Sequence, residues 1–187
     1  MIEDETNQPF PRDTLYAALS EFRRRGVTVK QILDFYNEPK EDHWCIVDLD
    51  GTLSDSRHRD HLALNKQWDE FNSQCVNDPP HPDVQATLKG LLLQGWHIAV
   101  VTGREITFLR RTQQWLHGVA GVWDPDRVHI YMRPELDYRS DVVVKREIYE
   151  KHLRDKNVVF VLEDRDRVVE MWRTLGLRCH QVQPGTY

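Results

Sequence analysis

Cysteine is scarce in this chain: three residues in 187 (Cys45, Cys75 and Cys179), widely spaced, odd in number and without a CxxC pair. That excludes a disulfide framework and a zinc-ribbon site, and it favours a reducing compartment. Cys45 lies inside an apolar run, where a buried, inert thiol is expected. An excess of basic charge is also missing. With 25 Lys and Arg against 30 Asp and Glu the net charge is -5, and the sequence pI is near 6.0. Proteins that hold long nucleic acid through many phosphate contacts are usually basic, so any such contact here is expected to be local and brief. No apolar stretch is long enough to span a membrane. The opening MIEDETNQPF is acidic and polar and does not read as a secretory signal. A cytoplasmic protein is expected. No GxxxxGK[ST] loop occurs, so kinase activity is not expected. The nine histidines show no metal-ligand spacing, and there is no internal repeat or low-complexity segment.

What is present fits an ordinary globular domain, with 40% hydrophobic and 29% charged residues. Residues 1–42 read as a helical appendage. Leu15, Ala18, Leu19 and Phe22 give helical spacing between Pro11 and Arg25, a shorter helix is expected over 29–36, and a polar linker containing Pro39 follows. Residues 43–187 read as the main domain. Short apolar runs at 44–48, 97–102, 128–132, 158–162 and 178–182 alternate with amphipathic stretches near 65–75, 84–94, 106–116, 141–153 and 167–175. Continuous apolar strands separated by helices predict an α/β fold, a three-layer α/β/α arrangement with a central parallel sheet. Ligands of such sheets bind beyond the carboxyl ends of the strands.

Those strand ends carry the strongest signal. The first run leads into Asp48-Leu49-Asp50-Gly51-Thr52, the second into Thr102-Gly103-Arg104, and the fourth into Glu163-Asp164. Carboxylates, a hydroxyl and a guanidinium thus converge on one edge. Asp48 and Asp50 crowd two negative charges that call for a cation or a proton. A set of hard oxygen donors without histidine or cysteine suits Mg²⁺. A carboxylate in such surroundings can attack phosphorus, and a second can protonate the leaving oxygen and then activate water. Arg104 and Lys145 are candidates to neutralise a phosphoryl group in transfer. Thr102 can donate to a phosphate oxygen, and Gly51 and Gly103 allow sharp turns with backbone amides facing an anion.

DLDGT, TGR, the Asp141…Lys145 spacing and EDRD resemble, in this order, the four motifs of the haloacid-dehalogenase superfamily of phosphotransferases. The detail is similar to the phosphatase domain of bacteriophage polynucleotide kinase-phosphatase. That likeness rests on Trp115-Leu116, Met132-Arg133, the stretch Asp137 to Lys145, Val168 to Arg173, and Gln181 to Gly185. The resemblance implies Asp48 as nucleophile and Asp50 as general acid-base, with Arg104 and Lys145 on the phosphate. It implies that Asp48, Asp164 with Glu163, and the Asp50 backbone carbonyl hold the metal. Asp141 would position Lys145, and Arg59 or Arg57 would contact substrate. Where family members often carry two aspartates this chain has Glu163-Asp164, which leaves direct ligation by Glu163 open. A small helical insert over about 54–80 is expected to act as a lid, and a small lid suits a phosphate at a polymer end.

The function this implies is a Mg²⁺-dependent phosphatase of nucleic-acid ends, removing 3′-phosphates from DNA or RNA, with 2′-phosphates and 2′,3′-cyclic phosphates as further candidates. Arg59, Arg133, Arg139 and Arg165 are the candidate contacts to the terminal nucleotide, and a separate kinase or ligase partner in end repair is left open. A small-molecule or mononucleotide phosphatase using the same site is the first alternative, and an inactive nucleic-acid-binding or scaffold protein the second. Taken singly, the motifs have plainer readings. Asp50-Gly51 suits a turn, Asp141 and Lys145 a surface helix pair, and Thr102 to Arg104 and Glu163-Asp164 helix caps. A helix-turn-helix over 14–36 is a further alternative.

Overall fold

The computed structural model describes residues 42–185 together with Arg24. Intrachain contacts divide the chain into Met1–Lys40 and Glu41–Tyr187, and the account below concerns the second unit. The helices expected over 11–25 and 29–36, and the helix-turn-helix alternative, lie outside the described residues.

Five strands form one sheet: β1 (His43–Val47), β2 (His97–Glu105), β3 (Val128–Arg133), β4 (Asn157–Arg165) and β5 (Cys179–Gly185). They pair in the order β3-β2-β1-β4-β5, with every pair parallel. The fold is the expected three-layer α/β/α. Between the strands run α1 (Asp60–Leu64), α2 (Trp68–Ser73), α3 (Pro82–Leu93), α4 (Leu109–Gly118), α5 (Asp141–Ile148) and α6 (Asp166–Thr174). The pleat of β1 sends Cys45 and Val47 to one face, where Val84, Leu88 and Leu91 of α3 and Trp115 and Leu116 of α4 cover them. Trp44 and Ile46 point to the other face, against Val144 and Ile148 of α5 and Val168, Val169 and Trp172 of α6. Each large aliphatic side chain buried this way contributes ~1.5–3 kcal/mol, so the two faces hold the sheet from both sides. Pro82 opens α3, where its fixed φ and missing N–H suit the first helical turn.

Two expected helices differ. The stretch 65–75 is not one helix: Lys66 takes a left-handed conformation at φ 57°, so α1 stops before it and α2 starts at Trp68. The helix expected over 141–153 changes at Tyr149 into a wider π turn, Tyr149–Leu153. That turn still buries Leu153.

The chain diverges in both directions from β1, so the crevice between the ends of β1 and β4 is the switch point where ligands of open α/β sheets bind. The insert leaves and returns there through a narrow neck. Ser54 bridges Pro80 in antiparallel fashion, Asp55 N–H donates to Pro79 at 2.9 Å, and His81 N–H donates to Leu53 at 2.8 Å. Leu62, Ala63 and Phe71 give the insert its own small core.

Candidate active site

Beyond β1 the chain must turn sharply while keeping Leu49 and Leu53 in the core, where both are fully buried. Gly51 makes this possible at φ 89°, and the N–H groups of Thr52 and Ser54 close the loop onto the Leu49 carbonyl at 3.0 and 2.8 Å. With the leucines anchored below, Asp48 and Asp50 project above the sheet edge into two different surroundings.

Asp48 faces β4 and α5. Lys145 Nζ, almost wholly buried, donates to Asp48 Oδ1 at 2.7 Å and to Glu163 Oε2 at 2.8 Å. One oxygen each from Asp48, Glu163 and Asp164 lie within 4.8 Å of one another. Thr52 Oγ1 donates to Asp164 Oδ1 at 3.2 Å, whereas Asp164 Oδ2 is buried without a hydrogen-bond partner. Burial pushes the Asp48 carboxyl up to about 7; Lys145 draws it down, and Glu163 and Asp50 push it up again. Burial and the nearby Asp48 raise Asp164 to about 6, and burial also raises Glu163. Burial opposes the charge on Lys145, yet Asp48 and Glu163 outweigh it and hold the ammonium well above its ordinary value.

The cluster is therefore three buried carboxylates against one ammonium, short of two positive charges. Its donors are hard oxygens, and one buried oxygen is orphaned. Those features fit a divalent cation. Gly185 stands hard against this group: a Cβ there would lie 2.5 Å from Asp164 Oδ2.

Asp50 faces the insert. Arg104 grips it with Nε at 2.9 Å and a terminal nitrogen at 2.6 Å, and Arg59 donates to the same carboxylate. Burial pushes the Asp50 carboxyl up, but the two guanidiniums overcome it and hold the group well below the usual range. Both arginines continue to Asp78, a fully buried residue at the end of the insert, with Arg59 Nε at 2.8 Å and an Arg104 nitrogen at 3.5 Å. Ser54 and His58 also bond the Asp78 carboxylate, and Trp115 Nε1 donates to its carbonyl at 2.8 Å. Two carboxylates and two guanidiniums balance, so this half of the site needs no added cation.

The sequence-derived site residues distribute accordingly. Asp48, Glu163, Asp164 and Lys145 meet in the first cluster, and Asp50, Arg104 and Arg59 in the second. The Asp50 side chain lies outside the carboxylate group around Asp48, which leaves only its carbonyl for the role the resemblance implies. Arg104 is committed to Asp50, because burial favours pairing each guanidinium with a carboxylate. Thr102 is fully buried, and its hydroxyl accepts the Arg104 N–H at 3.2 Å. Gly103 has no left-handed backbone; its constraint is spatial, since a Cβ would sit 2.7 Å from Asp141 Oδ1. Asp141 bonds Arg133 and Arg165 rather than Lys145, so it braces the rim. Arg59 is wholly buried, its guanidinium over the Phe71 ring at 3.9 Å from the centroid. Arg57 is exposed and pairs with Asp55. Arg139 forks onto Asp137 and Glu147.

Sequence reasoning missed Asp78, whose one signal is an acid placed before Pro79-Pro80 where the insert closes. It also missed Thr52, which steadies Asp164, and Gln183, which donates to the Gly51 carbonyl at 2.5 Å.

A parallel switch-point sheet with this carboxylate, lysine and arginine edge defines a haloacid-dehalogenase-type phosphatase, a phosphoric monoester hydrolase. Within that class, residues 42–187 match the family model described as the polynucleotide kinase PNKP phosphatase domain, and the chain belongs to that family. A putative bifunctional polynucleotide kinase/RNA ligase of Autographa californica nuclear polyhedrosis virus is 28% identical over 136 residues, 71% of this chain and 18% of that protein. A chain in the structure of the Pnkp1/Rnl/Hen1 RNA repair complex superposes with a TM-score of 0.68 at 32% identity, covering 80% of this chain and 45% of that one. The class C acid phosphatase from Bacillus anthracis with tungstate bound shares the fold at a TM-score of 0.52 and 16% identity, over 73% of this chain and 57% of its own. The present chain thus spans less than half of the solved repair-complex chain and under a fifth of the viral protein. Among the described residues no helix is long and apolar enough to cross a membrane.

Proposed function

We propose that the chain removes 3′-phosphates from DNA or RNA ends in a Mg²⁺-dependent reaction that passes through an aspartyl-phosphate on Asp48. The observation that carries the mechanism is the Asp48 cluster. A buried carboxylate is held by Lys145 at 2.7 Å beside two further carboxylates, one with an orphaned oxygen. Asp48, Asp164 and Glu163 would hold the metal. When bound, Mg²⁺ would neutralise the carboxylates and the phosphate oxygens as charge develops. Lys145 aims Asp48, opposes the burial that favours its protonation, and offers a positive charge beside the transferring group.

In the first step a carboxylate oxygen of Asp48 forms a bond to phosphorus as the bond to the leaving oxygen breaks, and Asp50 gives that oxygen its proton. In the second, Asp50 takes a proton from water. The water oxygen bonds to phosphorus, the Asp48 oxygen–phosphorus bond breaks, and inorganic phosphate departs. Arg59 and Arg104 hold Asp50 ionised in the free protein. The negative charge of a phosphate dianion beside Asp50 disfavours the ionised carboxylate, which offsets the two guanidiniums and lets Asp50 carry the proton the first step requires.

The substrate class is supported by the family and by the relatives named for polynucleotide kinase, RNA ligase and RNA repair activities. Those names also support a kinase or ligase as the partner in end repair, and the expected setting is the cytoplasm. The test is phosphate release from 3′-phosphorylated DNA and RNA oligonucleotides, with Mg²⁺ and with EDTA, in competition with 3′-mononucleotides. Preferential, Mg²⁺-dependent release from the oligonucleotides is the expected result. Preference for the mononucleotides would move the substrate to a small phosphate ester while keeping the chemistry.

A further inference from the structure

The catalytic carboxylates line only the floor of a cavity of about 1130 Å³, larger than a phosphoryl group needs. The insert contributes Trp68 to its walls, and the β3–α5 loop contributes Leu136 and Tyr138. These side chains stand on water: Trp68 is 46% exposed, Leu136 69% and Tyr138 84%. Large apolar groups gathered beside an ionic site mark a surface made to be covered.

The backbone points the same way. Among the described residues, the non-glycine positions with positive φ are Lys66 at 57° and Leu136 at 59°. Each stands two positions before an aromatic, and all four residues line this one cavity. Left-handed backbone is unfavourable for residues with a Cβ, and it persists at ligand sites where the surroundings impose it. Trp68 also packs edge-on against Phe71, with ring centroids 6.0 Å apart. Phe71 lies under the Arg59 guanidinium, and Arg59 holds Asp50. The aromatic of the insert wall is thus joined by contacts to the acid at the floor.

Charge on the rim does not build a track for a phosphate backbone. Lys66 and Arg167 are interspersed with Asp69, Glu70 and Glu105, and Arg139 is already paired with Asp137 and Glu147. What the walls add is the exposed planar surface of Trp68 and Tyr138, and aromatic faces take up nucleobases with little regard to sequence.

The geometry points to a stacking subsite in which Trp68 and Tyr138 hold the nucleobase of the terminal nucleotide whose phosphate sits over Asp48. This rests on the polynucleotide-end reading above and specifies how that end is gripped. Removing one aromatic should lower kcat/KM roughly ten-fold, as base–aromatic stacking does elsewhere. The loss should fall on KM, because the base is held alike in the ground and transition states.

The test uses two oligonucleotides identical except that the 3′-phosphorylated terminal nucleotide carries a base in one and is an abasic tetrahydrofuran analogue in the other. The ratio of their kcat/KM values is read for wild type, Trp68→Ala, Tyr138→Ala and Tyr138→Phe. Being internal to each protein, the ratio is insensitive to any misfolded fraction. Wild type should favour the base-bearing end by roughly ten-fold or more, since the abasic end loses both partners. The alanine variants should bring the ratio towards one, and Tyr138→Phe should keep it. A wild-type ratio near one, or a ratio unchanged in both alanine variants, overturns the subsite. If wild type leaves both oligonucleotides phosphorylated while hydrolysing glycerol phosphate, the polymer-end reading fails and the subsite with it.

Discussion

Replacing Asp78 with asparagine should unsettle both the insert and the acid at Asp50, although Asp78 touches neither the cavity nor the carboxylate cluster. Its side chain is wholly buried and accepts from Arg59, Ser54 and His58, with Arg104 at 3.5 Å. Without its charge, two buried guanidiniums face Asp50 alone. Breaking a buried ion pair by deleting one partner costs ~3–5 kcal/mol. Asparagine keeps the shape and one acceptor, so a smaller loss than that range, ~2–3 kcal/mol, is expected. At ~2–4 °C per kcal/mol for a chain of this size, the midpoint should fall by roughly 4–12 °C. Thermal unfolding followed by circular dichroism, in EDTA at pH 7, reads this directly. Activity should fall as well, because Asp50 loses the frame that aims it, and a misplacement of about 1 Å can cost ~100-fold. The effect should be less than additive with Asp50→Asn, since the two carboxylates share both arginines. A melting midpoint unchanged from wild type, with full activity, would refute the view that Asp78 anchors this network.

Lys145→Met should lower kcat by roughly 100-fold or more, and its stability should respond more strongly to a divalent cation than that of wild type, because three carboxylates are then left with no ammonium. Melts over a cation series check this. In EDTA the raised carboxyls of Asp48, to about 7, and Asp164, to about 6, make the folded state bind more protons than the unfolded one. Their contribution to stability is therefore present at low pH and is lost as pH rises from ~4 through those values. Divalent cation should flatten that fall, and a denaturant titration at several pH values with and without it shows whether it does. Gly185→Ala brings a Cβ to 2.5 Å from Asp164 Oδ2, an overpacking worth ~1–3 kcal/mol. Calorimetric titration of the variant should give weaker cation binding than wild type.

The sequence revealed the parts of this protein that short-range rules control. The apolar runs became the five strands because continuous burial on both faces leaves a plain pattern. The strand ends then delivered Asp48, Thr102 and Glu163-Asp164 to one edge. The insert was less legible: spacing over 65–75 suggested one helix, but nothing local announces that Lys66 adopts a left-handed conformation. The partners of charged groups were the least legible, because burial decides them. Asp141 and Lys145 have helical i, i+4 spacing, yet Asp141 turns to Arg133 and Arg165 while Lys145 reaches Asp48, 97 positions away in sequence. Asp78 gave no periodic signal, because its importance comes from cations brought in by Arg59, in the short 3-10 turn Arg57–Arg59, and by the end of β2.

Capture of a phosphoryl group on the protein tests the central claim most directly. Wild type and Asp48→Asn, each mixed with a 3′-[³²P]phosphorylated oligonucleotide and Mg²⁺ and quenched in acid within one turnover, should differ in one respect. Wild type should carry label on a peptide containing Asp48, and the variant should carry none and release no phosphate. Undiminished phosphate release by Asp48→Asn would contradict the account.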